Sequence, residues 1–305
     1  MSRKKRNWWQ RLVLGKDKAD AWCVLGASAR GASHIRNDLP NQDAIGFEPE
    51  SGTGPPIRLA VADGHGSPKS FRSDIGAKFA VASALSVLQD FLEKLPSRPN
   101  LEATRRKLQE DVPRKIDEKW KAKVERHFQE NPFLPEELDK AGEENSPGRN
   151  SVEANHVIAY GATILAMLVH ELFLACLQLG DGDILLVYDS GVTVRPMDDD
   201  ERLFANETTS LSAKDCWQDF RIYFQATDTG PPAMVIAATD GYANSFSSET
   251  GFWELGNDYL TLLRTQGLKK VETVLPEWLS ETSQDGSGDD ITMGILCRSS
   301  TLNPP

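Results

Sequence analysis

The chain is short of the residues that build a disulfide framework or a zinc site. Its 305 residues hold four cysteines, Cys23, Cys176, Cys216 and Cys297. No two have zinc-finger spacing and three lie in apolar runs. That is the pattern of reduced core thiols in a cytoplasmic protein, not of a disulfide-stapled secreted one. The five histidines, at 34, 65, 127, 156 and 170, show no metal-ligand spacing. No apolar run reaches the length of a membrane span, about 20 residues. The basic start, MSRKKRNWWQRL, has no apolar signal-peptide core behind it, so stable membrane insertion is not expected. Positive charge is scarce beyond that start. Residues 1–18 hold seven Lys/Arg and one acid, a charge of +6, so the −11 of the whole chain leaves −17 for the rest. Nucleic acid as the main partner is excluded by that balance, because phosphate-backbone binding needs a basic surface. There is no internal repeat.

What the chain does have is acids placed at the ends of apolar strands. In LAVADGHGSPKSF (59–71), four apolar residues run into Asp63, Gly64 and His65. MVIAATDGY (234–242) repeats the pattern with Asp240 and Gly241, and GDDITMGIL (288–296) reverses it, with Asp289 and Asp290 ahead of the strand. A lone Asp-Gly after a strand is usually only a turn. Three strand-end aspartates from distant segments point instead to one acidic centre assembled by the fold. Packed carboxylates repel one another unless cations neutralise them. Oxygen-only ligands favour Mg²⁺ or Mn²⁺ over zinc.

The rest of the pattern predicts an α+β chain. Strands are expected at 21–28, 57–64, 219–226 and 233–240, and a last one in ITMGILC. SHIRNDLPNQDAIGF (33–47) reads as a loop returning into a strand. Apolar residues at helical spacing from Asp74 to about Leu95 predict one helix, and 101–128 a more polar one open to disruption at Pro113. Residues 131–155 read as a loop, and 161–197 as a meander of short strands turning at Gly180-Asp181-Gly182 and Ser190-Gly191. Helices at 253–266 and 268–282 precede the final strand. Residues 1–20 read as a basic tail, 21–298 as the folded domain and 299–305 as a short C-terminal tail.

The order DGHG, GATIL, GDGD, ATDG, GDDIT, with NQD at 41–43, resembles the protein phosphatase 2C family of metal-dependent Ser/Thr phosphatases, over roughly 21–297. SHIRNDLPNQDA and FANETT (204–209) look like its bacterial branch. The resemblance implies two packed antiparallel sheets, a β-sandwich, flanked by pairs of helices, with two divalent metal ions at one end. It implies hydrolysis of phosphoserine or phosphothreonine in a protein substrate by a water or hydroxide bridging those ions, and a linked Ser/Thr kinase. By the same resemblance Asp63 bridges the metals and Gly64 lends a carbonyl. Asp240 and Asp289 hold the first metal, Asp43 serves the second, and His65 is the general acid.

The chain departs from the family in three places. The phosphate-binding Arg that the family carries five residues before the NQD aspartate is Asp38 here, which leaves His34 and Arg36 as phosphate-binding candidates beside Lys69 and Arg72. Asp-Asp replaces Asp-Asn in the last motif. GDGD replaces Gly-Asp-Ser, with Asp181 a candidate for a third, looser metal or simply a turn acid. The missing Arg motivates a second reading, a non-catalytic phosphoprotein-binding module (a pseudophosphatase) of the same fold. Rival motifs fail on spacing: CVLGASAR is one residue too long for the Cys-x5-Arg loop of cysteine phosphatases, and GASARGAS has Ala32 where a P-loop needs Lys. Residues 198–218, polar and without apolar period, read as a flap over the site that selects the substrate.

Overall fold

The computed structural model describes residues 21–197 and 209–302. Eleven described strands form two antiparallel sheets. One sheet runs in the order β3 (Thr53–Gly54), β1 (Trp22–Ala29), β11 (Ile291–Arg298), β10 (Met234–Ala238), β7 (Asp183–Val187), β8 (Thr193–Val194). The other runs β2 (Ala44–Glu48), β4 (Ile57–Ala62), β5 (Ile164–Val169), β6 (Phe173–Leu179), β9 (Arg221–Ala226).

Side-chain parity makes this a four-layer stack. Strand side chains alternate between faces. On β1, Trp22 and Val24 turn inward to meet Leu59, Val61, Leu165 and Met167 of the other sheet. Leu25, Ala27 and Ala29 turn outward onto a helical layer. Both faces are covered, so the central strands read as continuous apolar runs rather than as alternating ones. Gly26 and Gly294 stand opposite each other on β1 and β11, where side chains of the other sheet, Ile45 and Leu59, press against the backbone. A Cβ on Gly294 would lie 2.7 Å from Leu59 Cδ2, and one on Gly26 would lie 2.8 Å from the Met293 carbonyl.

The helices form the outer layers. Helix α1 is the single turn Ala32–Arg36. Helices α2 (Ser73–Glu93) and α3 (Leu101–Glu130) pack as a hairpin on the β2-to-β9 sheet, burying Ala77, Ala84, Leu88, Phe91, Ile116 and Trp120. Two shorter helices, α4 (Pro135–Ala141) and α5 (Pro147–Ala154), follow. After the one-turn α6 (Asp240–Ala243), helices α7 (Glu249–Gln266) and α8 (Leu268–Asp285) cover the opposite sheet through Leu260, Leu263, Val271, Leu275 and Leu279. Ser299–Leu302, α9, is a helical turn with Thr301 buried.

Several sequence expectations change in physical detail. Residues 161–197 are not one meander. β5 and β6 pair in one sheet, whereas β7 pairs with β10 in the other. The Gly180-Asp181-Gly182 turn is therefore a crossing between sheets, with Gly180 at φ +107. Pro113 sits inside an unbroken α3 and is itself buried. The lost backbone bond is outweighed by the apolar seam of Val112, Ile116, Trp120 and Val124. The 131–155 loop contains α4 and α5, and the loop expected before β2 begins with α1. Helix α2 is, contrary to expectation, long and apolar enough to cross a membrane, but its apolar face is packed on the sheet.

Candidate active site

The acids of the sequence motifs converge at one end of the sandwich. Asp43 precedes β2 and Asp63 follows β4, and the Ala44–Ala62 pairing sets the two side by side. Asp240 starts α6 just past β10, and Asp289 lies just before β11, the strand beside it. One sheet supplies Asp43 and Asp63, and the other supplies Asp240 and Asp289.

The electrostatics record this crowding. Burial pushes the Asp43 and Asp63 carboxyls well above the usual carboxylate range. For Asp63, the nearby Asp43, Asp240 and Asp181 push the same way. For Asp43, hydrogen bonds from Thr239 and Thr292 pull back, while Asp290 and Asp289 push up. Burial also raises Asp240, helped by Asp181 and Asp289, against hydrogen bonds to Asp63 and Asn244. Among the described residues the ion-pair partner of this cluster is His34, which reaches Asp289 and Asp290. Asp43, Asp63 and Asp240 have none among those residues.

Backbone contacts fix the loop that carries Asp63. Asp63 donates its N–H to Thr163 Oγ1 (3.2 Å) and accepts the Thr163 N–H at its carbonyl (2.8 Å). The His65 N–H donates to the Gly161 carbonyl (3.1 Å). A Cβ on Gly64 would lie 2.5 Å from the Gln42 carbonyl and 2.7 Å from that of Ser73, so only glycine lets the loop pass between NQD and α2. A Cβ on Gly161 would lie 2.5 Å from His65 Cδ2, so that glycine makes room for the imidazole. Burial lowers the His65 pKa, and the Asp181 carboxylate partly offsets this. Asp43 Oδ2 accepts the Thr239 hydroxyl at 2.8 Å, and Thr239 Oγ1 in turn accepts the Thr292 N–H at 2.9 Å.

The extra acid, Asp290, has a different job. Its oxygens accept the Gly31 N–H (2.6 Å) and the Gln42 N–H (2.6 Å), and His34 Nδ1 lies 2.8 Å from Oδ2. Asp290 is thus a clamp that fastens the NQD loop and the end of β1 to β11. His34 lies in the same clamp, 9% exposed, with Nδ1 also 3.2 Å from the Pro40 carbonyl and Nε2 3.5 Å from Asp289 Oδ1. Arg36 is exposed at the rim, with Nη2 3.7 Å from where a Cβ on Gly288 would lie.

Arg72 is spent on structure. It donates twice to Glu137 (2.7 and 2.6 Å), once to the Tyr160 hydroxyl (2.7 Å) and once to the Asn131 carbonyl (2.7 Å). Lys69 is exposed. Asp38, in the place of the family's arginine, takes a left-handed backbone, φ +54, with Oδ1 3.8 Å from Arg30 Nη2. Residues 198–208 of the expected flap, with Asn206, Glu207 and Thr208, lie outside the described residues. The segment re-enters at Thr209, whose Oγ1 accepts the Gly180 N–H at 3.0 Å. Leu211, which is buried, donates its N–H to the Ala162 carbonyl at 3.0 Å. Sequence reasoning missed Thr163, Thr239 and Ser73. Thr163 and Thr239 lie inside the GATIL and ATDG motifs and Ser73 opens α2, and only the fold shows what each orients.

The donor chemistry suits a divalent cation, and the described side chains whose ligand atoms already lie within 4.8 Å of one another are His34, Asp289 and Asp290. Four carboxylates of like charge converge from two sheets, and hard oxygen ligands of this kind suit Mg²⁺ or Mn²⁺. The chain belongs to the protein phosphatase 2C family, whose model matches residues 30–280, and so to a family of Ser/Thr protein phosphatases. The fold is similar to the catalytic domain of the serine/threonine protein phosphatase PstP in complex with two manganese ions. That likeness has 16% identity and a TM-score of 0.54, over 91% of this chain and 98% of that one. It is also similar to serine/threonine phosphatase Stp1 from Staphylococcus aureus (14%, 0.54, 90% and 94%). A third likeness is to PppA, a regulatory component of T6SS in Pseudomonas aeruginosa (16%, 0.54, 92% and 100%). No curated protein sequence matches the chain.

Proposed function

We propose that the protein removes phosphate from phosphoserine or phosphothreonine in a protein substrate by direct hydrolysis, in a bacterial cytoplasm, opposite a Ser/Thr kinase. The observation that supports this is the convergence of Asp43, Asp63, Asp240 and Asp289, the first three without a basic partner among the described residues. Two divalent ions, when bound, supply Lewis-acid activation of water and of the phosphoryl oxygens. Asp63, which interacts with both Asp43 and Asp240, would be the shared ligand, with Gly64 next to it in the chain. Asp240 and Asp289 would hold one ion and Asp43 the other, and Asp181 is a candidate for a third. His65, held by Gly161, protonates the departing serine or threonine oxygen. Contacts of His34 with Asp290 and Asp289 support reading it as a positioning residue for those acids, with Arg36 as the residue that meets the phosphoryl group.

The test is hydrolysis of a phosphoserine peptide with Mn²⁺ or Mg²⁺ and after thorough chelation. Activity that survives chelation overturns the metal reading. A second reading, a pseudophosphatase that binds phosphoprotein without turnover, rests on Asp38 in place of the family's arginine. Its mark is metal-dependent phosphopeptide binding with no release of phosphate. Arg36→Ala is expected to raise KM for the peptide several-fold with kcat little changed. An unchanged KM removes Arg36 from phosphate binding.

A further inference from the structure

A groove of ≈ 470 Å³ runs between α2 and α3, away from the acidic centre. Val87 and Ala122 form its apolar floor, and Lys115, Lys119, Lys123 and Arg126 line it, against the acids Asp90 and Glu118. Four cations in one groove stand out in a chain whose residues beyond 18 carry −17. Their spacing puts them on one helix stripe, because residues three, four, seven, eight and eleven apart share a face. The seam next to that stripe, Val112, Ile116, Trp120 and Val124, is buried, so the stripe cannot rotate away.

The pairing inside the groove is uneven. Lys119 Nζ donates to Ser86 Oγ (2.6 Å) and lies 3.3 Å from Asp90, and Lys115 lies 3.5 Å from Asp111. Lys123 and Arg126 make no ion pair or hydrogen bond with any described residue. The two unspent cations are the ones nearest the catalytic end. One residue past Arg126, His127 Nδ1 meets the Tyr160 hydroxyl at 2.9 Å. Tyr160 adjoins Gly161, whose carbonyl holds His65. The stripe therefore points along α3 toward the site. From Lys115 to Arg126 it spans about 16 Å, at roughly 1.5 Å per residue. An extended peptide covers that distance in about five residues.

We propose that this groove docks an acidic stretch, about five residues long, of the phosphoprotein substrate whose phosphoresidue enters the acidic centre. The stretch lies along Lys115, Lys119, Lys123 and Arg126 and leads the phosphoresidue toward His65. This rests on the phosphatase reading for the nature of the substrate but not for the binding itself. Charge complementarity favours this occupant: a phosphoresidue flanked by acids is repelled by most of this surface and attracted here. The docking energy is electrostatic and solvent-exposed, so it weakens with salt.

The experiment uses the full chain and two phosphoserine peptides that share one phosphosite, joined by the same flexible linker to five glutamates or to five glutamines. A fluorescent pentaglutamate peptide without phosphate reports docking alone by anisotropy. The expected results are a kcat/KM about tenfold higher for the glutamate-tailed peptide at low salt, carried by KM, and saturable binding of the pentaglutamate probe. Both fade as salt rises. Lys123→Glu with Arg126→Glu, two residues that pair with nothing described, erases the advantage and the binding while aryl phosphate hydrolysis stays as in the parent. Equal kcat/KM for the two peptides in the parent, or an advantage that survives the double substitution, overturns the docking proposal. Binding of pentaglutamate with no hydrolysis of any phosphoester overturns the phosphatase reading and leaves the groove as a binding site.

Discussion

The two ends of the sandwich treat their acids in opposite ways. At the end away from the motifs, Asp189 receives Arg264 Nη2 (3.0 Å) and Arg298 Nη2, with the Thr301 hydroxyl at 3.4 Å. At the motif end, Asp63 faces Asp43, Asp240 and Asp181, and burial raises its pKa. The same apolar strands β10 and β11 serve both ends. Packing therefore does not explain the contrast. Among the described residues, Asp189 is paired with arginines at one end, whereas Asp43, Asp63 and Asp240 have no basic partner at the other. Buried like charges cost stability, and a bound cation turns that cost into affinity.

The sharpest way to break this comparison is to remove a carboxylate from the motif end. Asp63→Asn and Asp240→Asn are each expected to lower phosphatase activity by orders of magnitude while leaving the metal-free protein folded. Near-normal turnover in either would place the chemistry elsewhere. The metal-free protein gives a second handle, in its pH dependence. The Asp63 carboxyl titrates higher in the folded chain than in the unfolded one, so the folded state binds the proton more tightly. Its contribution is then fully present below the unfolded value, about 3.9, and is lost as pH rises through the raised folded value. With chelator present, the melting temperature of Asp63→Asn should gain on that of the parent as pH rises above 4, and Mn²⁺ should restore the parent. A gap that shrinks with rising pH would contradict the sign.

His65 tests the edge of the motif end. A proton donor matters most when the leaving oxygen is a serine alkoxide and little when it is an activated phenolate. His65→Ala is therefore expected to slow phosphopeptide hydrolysis on the order of a hundredfold and aryl phosphate hydrolysis far less. Equal losses would point to folding or metal support instead. At the Asp189 end the expected effect is smaller. Asp189 is largely exposed, so Asp189→Asn should cost about 1 kcal/mol or less by thermal or urea unfolding, with activity unchanged. Smallest of all is Cys23→Ser. Cys23 is buried and paired in register with Cys297 on β11. It should keep most activity, and total loss in a folded variant would revive a thiol mechanism.

Much of the catalytic end was legible because strand ends announce themselves. Asp43, Asp63, Asp240 and Asp289 each break an apolar run, and a period of two residues fixes where the run stops. What parity cannot say is which sheet a strand joins. The runs 164–169, 173–179 and 183–187 look alike, and only pairing across long sequence distances sends β7 to β10. Nor could the sequence separate Asp289 from Asp290. The two are neighbours, yet one is exposed beside the cluster and the other is consumed by the amides of Gly31 and Gln42. His34, a phosphate-binding candidate by sequence, lies buried in the same clamp beside Asp289 and Asp290. A histidine in a polar loop looks free until the clamp that buries it is seen.

The packing of Leu59 against Gly294 has a consequence at a distance. Each sheet carries two of the four acids, so the spacing of the acids is a reading of the gap between the sheets. The centre acts as a gauge for the sandwich's thickness, and Leu59, resting on Gly294, sets its zero. A methyl group at position 294 would wedge the sheets and pull the two carboxylate pairs apart without touching either. The enzyme would then need more metal to reach half its activity, a calibration error written into the core and read out at the rim.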